Sequence, residues 1–180
     1  MAPLILAYRN ILPRIDPTAF VAPSAIVIGD VEIGPYANIW FNCVIRGDDA
    51  AIRIGAGVNI QDGTVVHCTV EGEGERAQHI DCVIGDGVSV GHMALLHACR
   101  IGAGALIGMK ACVMDGAVVE AGAMVAAGAV VTPRKRIGSG ELWAGTPARL
   151  TRPLKPEEAD YMRWVQHHYR ALAEEYKARG

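Results

Sequence analysis

The run Ile101-Gly-Ala-Gly-Ala-Leu-Ile107-Gly-Met-Lys-Ala-Cys-Val113-Met-Asp-Gly-Ala-Val-Val119-Glu-Ala-Gly-Ala-Met-Val125-Ala-Ala-Gly-Ala-Val-Val131 repeats every six residues. A bulky aliphatic opens each unit, and four positions later stands alanine: Ala105, Ala111, Ala117, Ala123 and Ala129. Glycine precedes that alanine at Gly104, Gly116, Gly122 and Gly128. Neither the period of a helix nor the alternation of a simple strand gives this pattern. A short strand, a tight corner and another short strand do, because glycine accepts the positive φ a corner needs.

Upstream the same step links Val21, Val27, Ile33, Ile39 and Ile45, then Ile54, Ile60 and Val66, then Ile84, Val90 and Leu96. Asn42 takes the glycine place in one unit, and asparagine tolerates positive φ better than most residues. Three units of six close a triangular coil, and stacked coils bury the aliphatics along a prism axis. The repeat reads as ending near Val131-Thr-Pro133.

Composition agrees with a narrow β core: 51% of residues are hydrophobic but only 6% aromatic. Seventeen basic and 19 acidic residues give a net charge of −2, with no basic stripe, so nucleic acid is not an expected partner. Pro3-Leu-Ile-Leu-Ala7 is too short for a signal core, and no run reaches membrane-span length. The five cysteines (Cys43, Cys68, Cys82, Cys99, Cys112) are odd in number and form no CxxC pair, which suits free thiols in a reducing cytoplasm. Residues 1–150 read as the coil with any site it carries, and 151–180 as a linker and helix. In that helix Met162, Val165, Tyr169, Leu172 and Tyr176 share a stripe, with Glu157 and Glu158 at its start and Lys177 and Arg179 at its end. It is expected to lie along a prism face, its own or a neighbour's.

Three breaks interrupt the period. Nine residues separate Ile45 from Ile54, so about three should bulge around Asp49-Ala-Ala51. Eighteen separate Val66 from Ile84, an excess of 12 that fits a loop from roughly Glu71 to Cys82. Between Leu96 and Ile101 one residue is missing. Counting faces through these breaks puts Ile45, Val66 and Leu96 on a first face, Ile54 and Ile84 on a second, and Ile60 and Val90 on a third.

His67 and His97 each follow a first-face aliphatic, one coil apart, and stacked strands lie ~4.8 Å apart. Their imidazoles therefore reach a common metal. Arg46 holds the same place one coil below His67. His92 follows Val90 on the third face, so it joins the other two only if a threefold assembly sets that face against the first face of the next subunit. Three neutral imidazoles suit Zn²⁺ with one position left open for water. His167 and His168 read as helix-surface residues, and His79 falls in the inserted loop.

Arg46-Gly-Asp48, Asn59-Ile-Gln61-Asp62, His67 and Gly91-His92-x4-His97 together resemble the signature of the gamma-class carbonic anhydrases. Ile39-Trp-Phe-Asn42 and Gly145-Thr-Pro-Ala148 extend the match over nearly the whole chain. The resemblance implies an all-β left-handed parallel β-helix, a homotrimer, and a zinc ion (Fe²⁺ or Co²⁺ in its place) at each subunit boundary. It implies that Arg46 and Asp62 form an intersubunit ion pair assisted by Asp48, that Gln61 orients a metal-bound hydroxide, and that Asn59 is its polar neighbour. The implied activity is reversible hydration of CO₂ to bicarbonate.

The chain departs from the prototype in its short acidic loop, where Glu71, Glu73, Glu75 or His79 would have to shuttle protons, and Asp49 replaces a second glutamate. Tyr169 resembles a tyrosine that short-loop members place near the metal. Two alternatives stand beside this reading: a metal-dependent thioesterase or acyltransferase acting on coenzyme A esters, and a low-activity trimer stabilised by metal that serves in assembly.

Overall fold

The computed structural model describes residues 2–179. The chain folds as a left-handed parallel β-helix of about eight turns with one C-terminal helix. Strands stack in register along three faces. Ile45, Val66, Leu96 and Val113 form one inward column, and Ile39, Ile60, Val90, Ile107 and Val125 another. All nine are fully buried. The periodic aliphatics thus fill the axis, and the alanines tuck under the corners.

The repeat is longer than the sequence reading has it. Six residues beyond Val131 lies Ile137, and six beyond that Trp143; both are buried in the main core, and their strands pair with the coil below. Pro133 conceals this continuation, because it sits in a corner where no ladder hydrogen bond is required. At the other end Ile15 pairs with Ile33, one step before Val21. Corners also accept more than glycine and asparagine: Met93 and Lys110 both stand at φ 59°.

Each break has a definite form. The strand Val44–Ile54 runs unbroken through a corner, and residues 48–51 bulge opposite Asp30 alone. Gly29 enables this, since a Cβ there would lie 2.2 Å from the Gly47 carbonyl oxygen. The insertion is an antiparallel ribbon, Thr69–Glu71 against Gln78–Ile80, rather than a loop from Glu71 to Cys82. Cys82 already belongs to the coil, paired with Ile52. The missing residue is absorbed by Ala98, which takes φ 45° and also accepts the Gly116 N–H, two duties that other corners split between neighbours.

The C-terminal helix, α1, spans Pro156–Ala178. Glu158 accepts the Lys155 N–H at 2.8 Å, and Pro156 opens the helix where no N–H is needed. α1 lies on the chain's own third face. Met162, Val165 and Ala173 are buried, and Tyr169 and Tyr176 meet Trp40 edge-on at 5.4 and 5.5 Å. Among the described residues no helix is long and apolar enough to cross a membrane.

Candidate metal centre

The strands Val65–His67 and Leu95–His97 are neighbours on the first face, with His67 paired to His97 and Arg46 to His67. His67 Nδ1 lies 3.1 Å from His97 Nε2. The opposite nitrogen of each ring meets a carboxylate: His67 Nε2 is 2.9 Å from Asp48 Oδ1, and His97 Nδ1 contacts Asp115. A neutral imidazole has one N–H and one lone pair. If both rings donate to their carboxylates, the two nitrogens that face each other both carry lone pairs, and lone pairs at this distance repel unless a cation lies between them.

That cation can be a proton or a metal. Two nitrogens on one tetrahedral zinc, each at ~2.05 Å, lie roughly 3.3 Å apart, close to the spacing found. Carboxylates behind both rings are the usual outer support of metal-binding histidines. The donor set therefore fits a zinc-type ion.

His92 is not on a face but at the corner between the third and the first, its carbonyl accepting the Lys110 N–H of the next coil. Its Nδ1 is 2.9 Å from Asp62, and its Nε2 is 3.2 Å from the Tyr169 hydroxyl. The imidazole pattern repeats here: a carboxylate on one nitrogen and a lone pair on the other. The His92 partners in this chain are thus Asp62 and Tyr169, while His67 and His97 pair with each other.

Asn59 and Gln61 line the third face beneath α1, both buried. Gln61 Nε2 donates to Asn59 Oδ1 at 3.0 Å, and Asn59 Nδ2 donates to Ser89 Oγ at 2.7 Å. This chain of bonds fixes the Gln61 amide. Arg46 reaches Asp48 at 2.5 Å. Desolvation acts against ionisation of Asp48, but hydrogen bonds from His67 and Arg46 outweigh it and hold the carboxyl below its ordinary range. Burial raises the Tyr169 hydroxyl, with Asp62 adding to the effect, so it remains a proton donor at neutral pH.

Asp48, His67 and Cys68 also bring donor atoms within 4.8 Å of one another. Cys68 is a poor ligand there. Its sulfur exchanges hydrogen bonds with Ala50 at 3.0 and 3.1 Å, and burial raises its thiol. It is core material.

The shuttle candidates separate. Glu71 is held by Arg134 through both oxygens at 2.9 Å, Glu73 and Glu75 are exposed at the ribbon turn, and His79 Nδ1 is 2.5 Å from the Asp49 carbonyl oxygen. Asp49 itself stands 3.8 Å from His67. His168 stacks on Trp164, and His167 is exposed. Sequence reasoning missed Asp115 and Ser89. Ser89 was accessible to coil counting, since it shares the ladder of Asn59, whereas Asp115 lies one residue past the shortened 17-residue coil that pairs Leu96 with Val113.

No protein-family model matches the chain. It is 47% identical over 162 residues to "Gamma carbonic anhydrase 2, mitochondrial" of Arabidopsis thaliana, covering 90% of this chain but 58% of that one. It is 39% identical to "Protein YrdA" of Escherichia coli K12, covering 100% of this chain and 97% of that one. Among solved structures, a hexapeptide transferase family protein from Anaplasma phagocytophilum superposes with a TM-score of 0.89 at 44% identity, covering 96% of this chain and 98% of that one.

Proposed function

The chain belongs to the gamma carbonic anhydrase-like family, and on that premise we propose that it is a metal-dependent CO₂ hydratase whose centre forms between copies of the chain. One observation carries this: His67 Nδ1 and His97 Nε2 face each other at 3.1 Å, and each ring has a carboxylate against its other nitrogen. His92 supplies the third imidazole, from the neighbouring subunit. Zinc suits three imidazoles best, with Fe²⁺ or Co²⁺ as substitutes. When bound, such an ion lowers the pKa of a coordinated water, so that hydroxide is at hand near neutral pH.

The chain's own groups do the rest. Gln61, its Nε2 fixed by Asn59, presents its carbonyl oxygen to orient a donor at the centre. Tyr169 donates to His92 Nε2 in the lone subunit; when that nitrogen is taken, the hydroxyl is released to donate to a substrate oxygen. In this reading Arg46 and Asp62 pair across the boundary, and within one chain Asp48 is shared between Arg46 and His67.

A threefold assembly is supported by the outer surface of the first face. Ile26, Val44, Val65, Leu95, Cys112 and Val130 form one outward column there, with Val65 37% and Leu95 39% exposed. The matching column of the second face is Glu32, Arg53, Val83, Arg100, Val118 and Arg136, mostly charged. An apolar ridge beside the histidines and a charged one away from them point to which face is covered. All five thiols are free, which supports a reducing compartment such as the cytoplasm.

Metal analysis with stopped-flow CO₂ hydration tests the proposal. Wild type should retain metal and turn over CO₂, and both His92→Ala and His67→Ala should be inactive. Co-assembling the two variants should restore part of the activity, because one boundary then has all three ligands. No recovery would sink the shared centre. A metal-loaded trimer inert to CO₂ that cleaves acyl-coenzyme A would instead favour the thioesterase reading.

A further inference from the structure

The bonds that hold Gln61 in this structure can be made a second way. Asn38, Asn59 and Ser89 stand one above another in the outward column of the third face, all buried, and the column continues as Leu106 and Met124. Asn38 and Asn59 hold the same place in successive coils. Each Oδ1 accepts from the residue two positions on, Trp40 Nε1 at 2.8 Å and Gln61 Nε2 at 3.0 Å. They differ at Nδ2. Asn38 turns it back to the Tyr36 carbonyl of its own coil at 3.4 Å, whereas Asn59 donates upward to Ser89 Oγ at 2.7 Å.

The partners decide how much freedom each amide has. An indole N–H only donates and a backbone carbonyl only accepts, so the Asn38 amide has one allowed direction. A glutamine amide and a serine hydroxyl each do both, and the Asn59 chain is therefore satisfied in two directions. In the direction seen, Gln61 donates to Asn59 and Asn59 donates to Ser89. The Gln61 carbonyl oxygen is then left for the cavity that Gln61 shares with His92. In the other direction Ser89 donates to Asn59, Asn59 donates to Gln61, and a Gln61 N–H is left instead. Both directions make two bonds, and both need only half-turns of terminal amide torsions, which are broad and roughly two-fold. Ser89 permits the choice. An alanine in its place would end either direction on an unpaired buried amide group, and the leucine and methionine above it offer nothing to bond.

We propose that Ser89 is a positioning residue that makes this chain reversible, so that Gln61 meets a donor with its carbonyl oxygen and an acceptor with its N–H. The hydration of CO₂ presents one of each: water at the centre donates, and bicarbonate offers oxygens that accept. The proposal rests on the metal reading above for those ligands, but the reversal itself belongs to Gln61, Asn59 and Ser89 alone. No covalent bond forms or breaks in it, and no proton changes its heavy atom. Only the donor and acceptor ends exchange.

Neutron diffraction from deuterated crystals reads the direction. In chelator-treated wild type, Ser89 should accept from Asn59. In Gln61→Glu the carboxylate only accepts, so Asn59 should turn its N–H to position 61 and Ser89 should donate. The Asn38 amide, with its own partners, should stay as it is and serves as the control. Zinc-loaded wild type soaked in bicarbonate should show the second direction too. In stopped flow, Ser89→Ala should lower kcat for CO₂ hydration about three- to tenfold, the worth of one neutral hydrogen bond. Ser89→Thr keeps the hydroxyl and should stay within about twofold of wild type. If Ser89→Ala fails to fold, the Gln61→Glu crystals still decide the question. One direction common to wild type and Gln61→Glu overturns the reversible chain. Reversal in Gln61→Glu but not in bicarbonate, or a Ser89→Ala protein as fast as wild type, overturns its part in the reaction. Reversal in Gln61→Glu of a protein that neither holds zinc nor hydrates CO₂ upholds the reversible chain and sinks the metal reading alone.

Discussion

Replacing Asp115 should loosen the metal without unfolding the chain. Its carboxylate contacts His97 Nδ1 from the corner one coil above, which sets the tautomer and leaves Nε2 as the lone-pair nitrogen. A hydrogen bond to a charged partner contributes about 1.5–3 kcal/mol and a neutral one about 0.5–1.5 kcal/mol. The two side chains are 30% and 33% exposed, so solvent screening selects the lower part of the range. Asp115→Ala should then cost about 1.5–2 kcal/mol of zinc retention, or roughly 10–30-fold. Asp115→Asn keeps an acceptor of the same shape and should cost about 0.5–1 kcal/mol, roughly two- to fivefold. Competition against a chromophoric chelator measures both, with Asp160→Ala as an exposed-carboxylate control and melting in chelator to show that the fold persists. Zinc retention by Asp115→Ala within about twofold of wild type would refute the reasoning. So would an Asn variant as weak as the Ala variant.

Three further outcomes are expected. Ile107→Ala, at a fully buried axial position, should cost about 2–5 kcal/mol in urea denaturation; a loss under about 1 kcal/mol would contradict a close-packed axis. Lys110→Gly removes a side chain held at φ 59° and should stabilise by about 0.5–1 kcal/mol, raising Tm by a few degrees in a scanning melt; a drop in Tm would show that the Lys110 side chain makes contacts worth more than the strain it carries. Hydrogen bonds from Arg152 and from the Lys155 N–H depress Glu158 from 4.5 to about 2. A carboxyl lowered on folding stabilises at pH above its unfolded value and loses that contribution as pH falls through the folded one. The circular dichroism of α1 should therefore hold through pH 4 and decline toward about 2, and Glu158→Gln should remove that component; helicity lost already near pH 5 would disprove the assignment.

What the sequence made legible was whatever depends on period. The axial column from Val21 to Val131, the order of faces and the stacking of His67 on His97 follow from counting in sixes, because a parallel coil turns sequence separation directly into distance. The continuation through Ile137 to Trp143 was hidden because proline and an aromatic replaced the usual corner and aliphatic. The ribbon at residues 69–80 was hidden for a different reason: its antiparallel pairing of Thr69 with Ile80 leaves no trace in a six-residue register. The position of α1 also lay beyond sequence. Its apolar stripe shows that it packs, but only the rings of Phe20, Trp40 and Phe41 on the third face show where.

The places where the period fails are where the site is built, and each failure has a mechanical effect. A strict repeat can place side chains only one coil apart along straight columns, which stacks His67 on His97 but brings no carboxylate to either ring. The bulge at residues 48–51 swings Asp48 out of its column until it reaches His67 Nε2 at 2.9 Å. The deletion after His97 compresses a corner into Ala98 alone, and Asp115, at the full-length corner above it, comes within hydrogen-bonding reach of His97 Nδ1. The insertion begins two residues after His67 and places His79 against the backbone of Asp49. Each departure loses regular pairing or accepts a positive φ at a residue other than glycine, which costs stability that the fold alone gives no reason to spend. Restoring the period at any one of them should therefore raise stability and weaken metal retention together, and deleting residues 49–51 is the most direct case. A shortened chain that melts higher and still holds zinc as tightly as the wild type would show that the bulge serves something other than the metal.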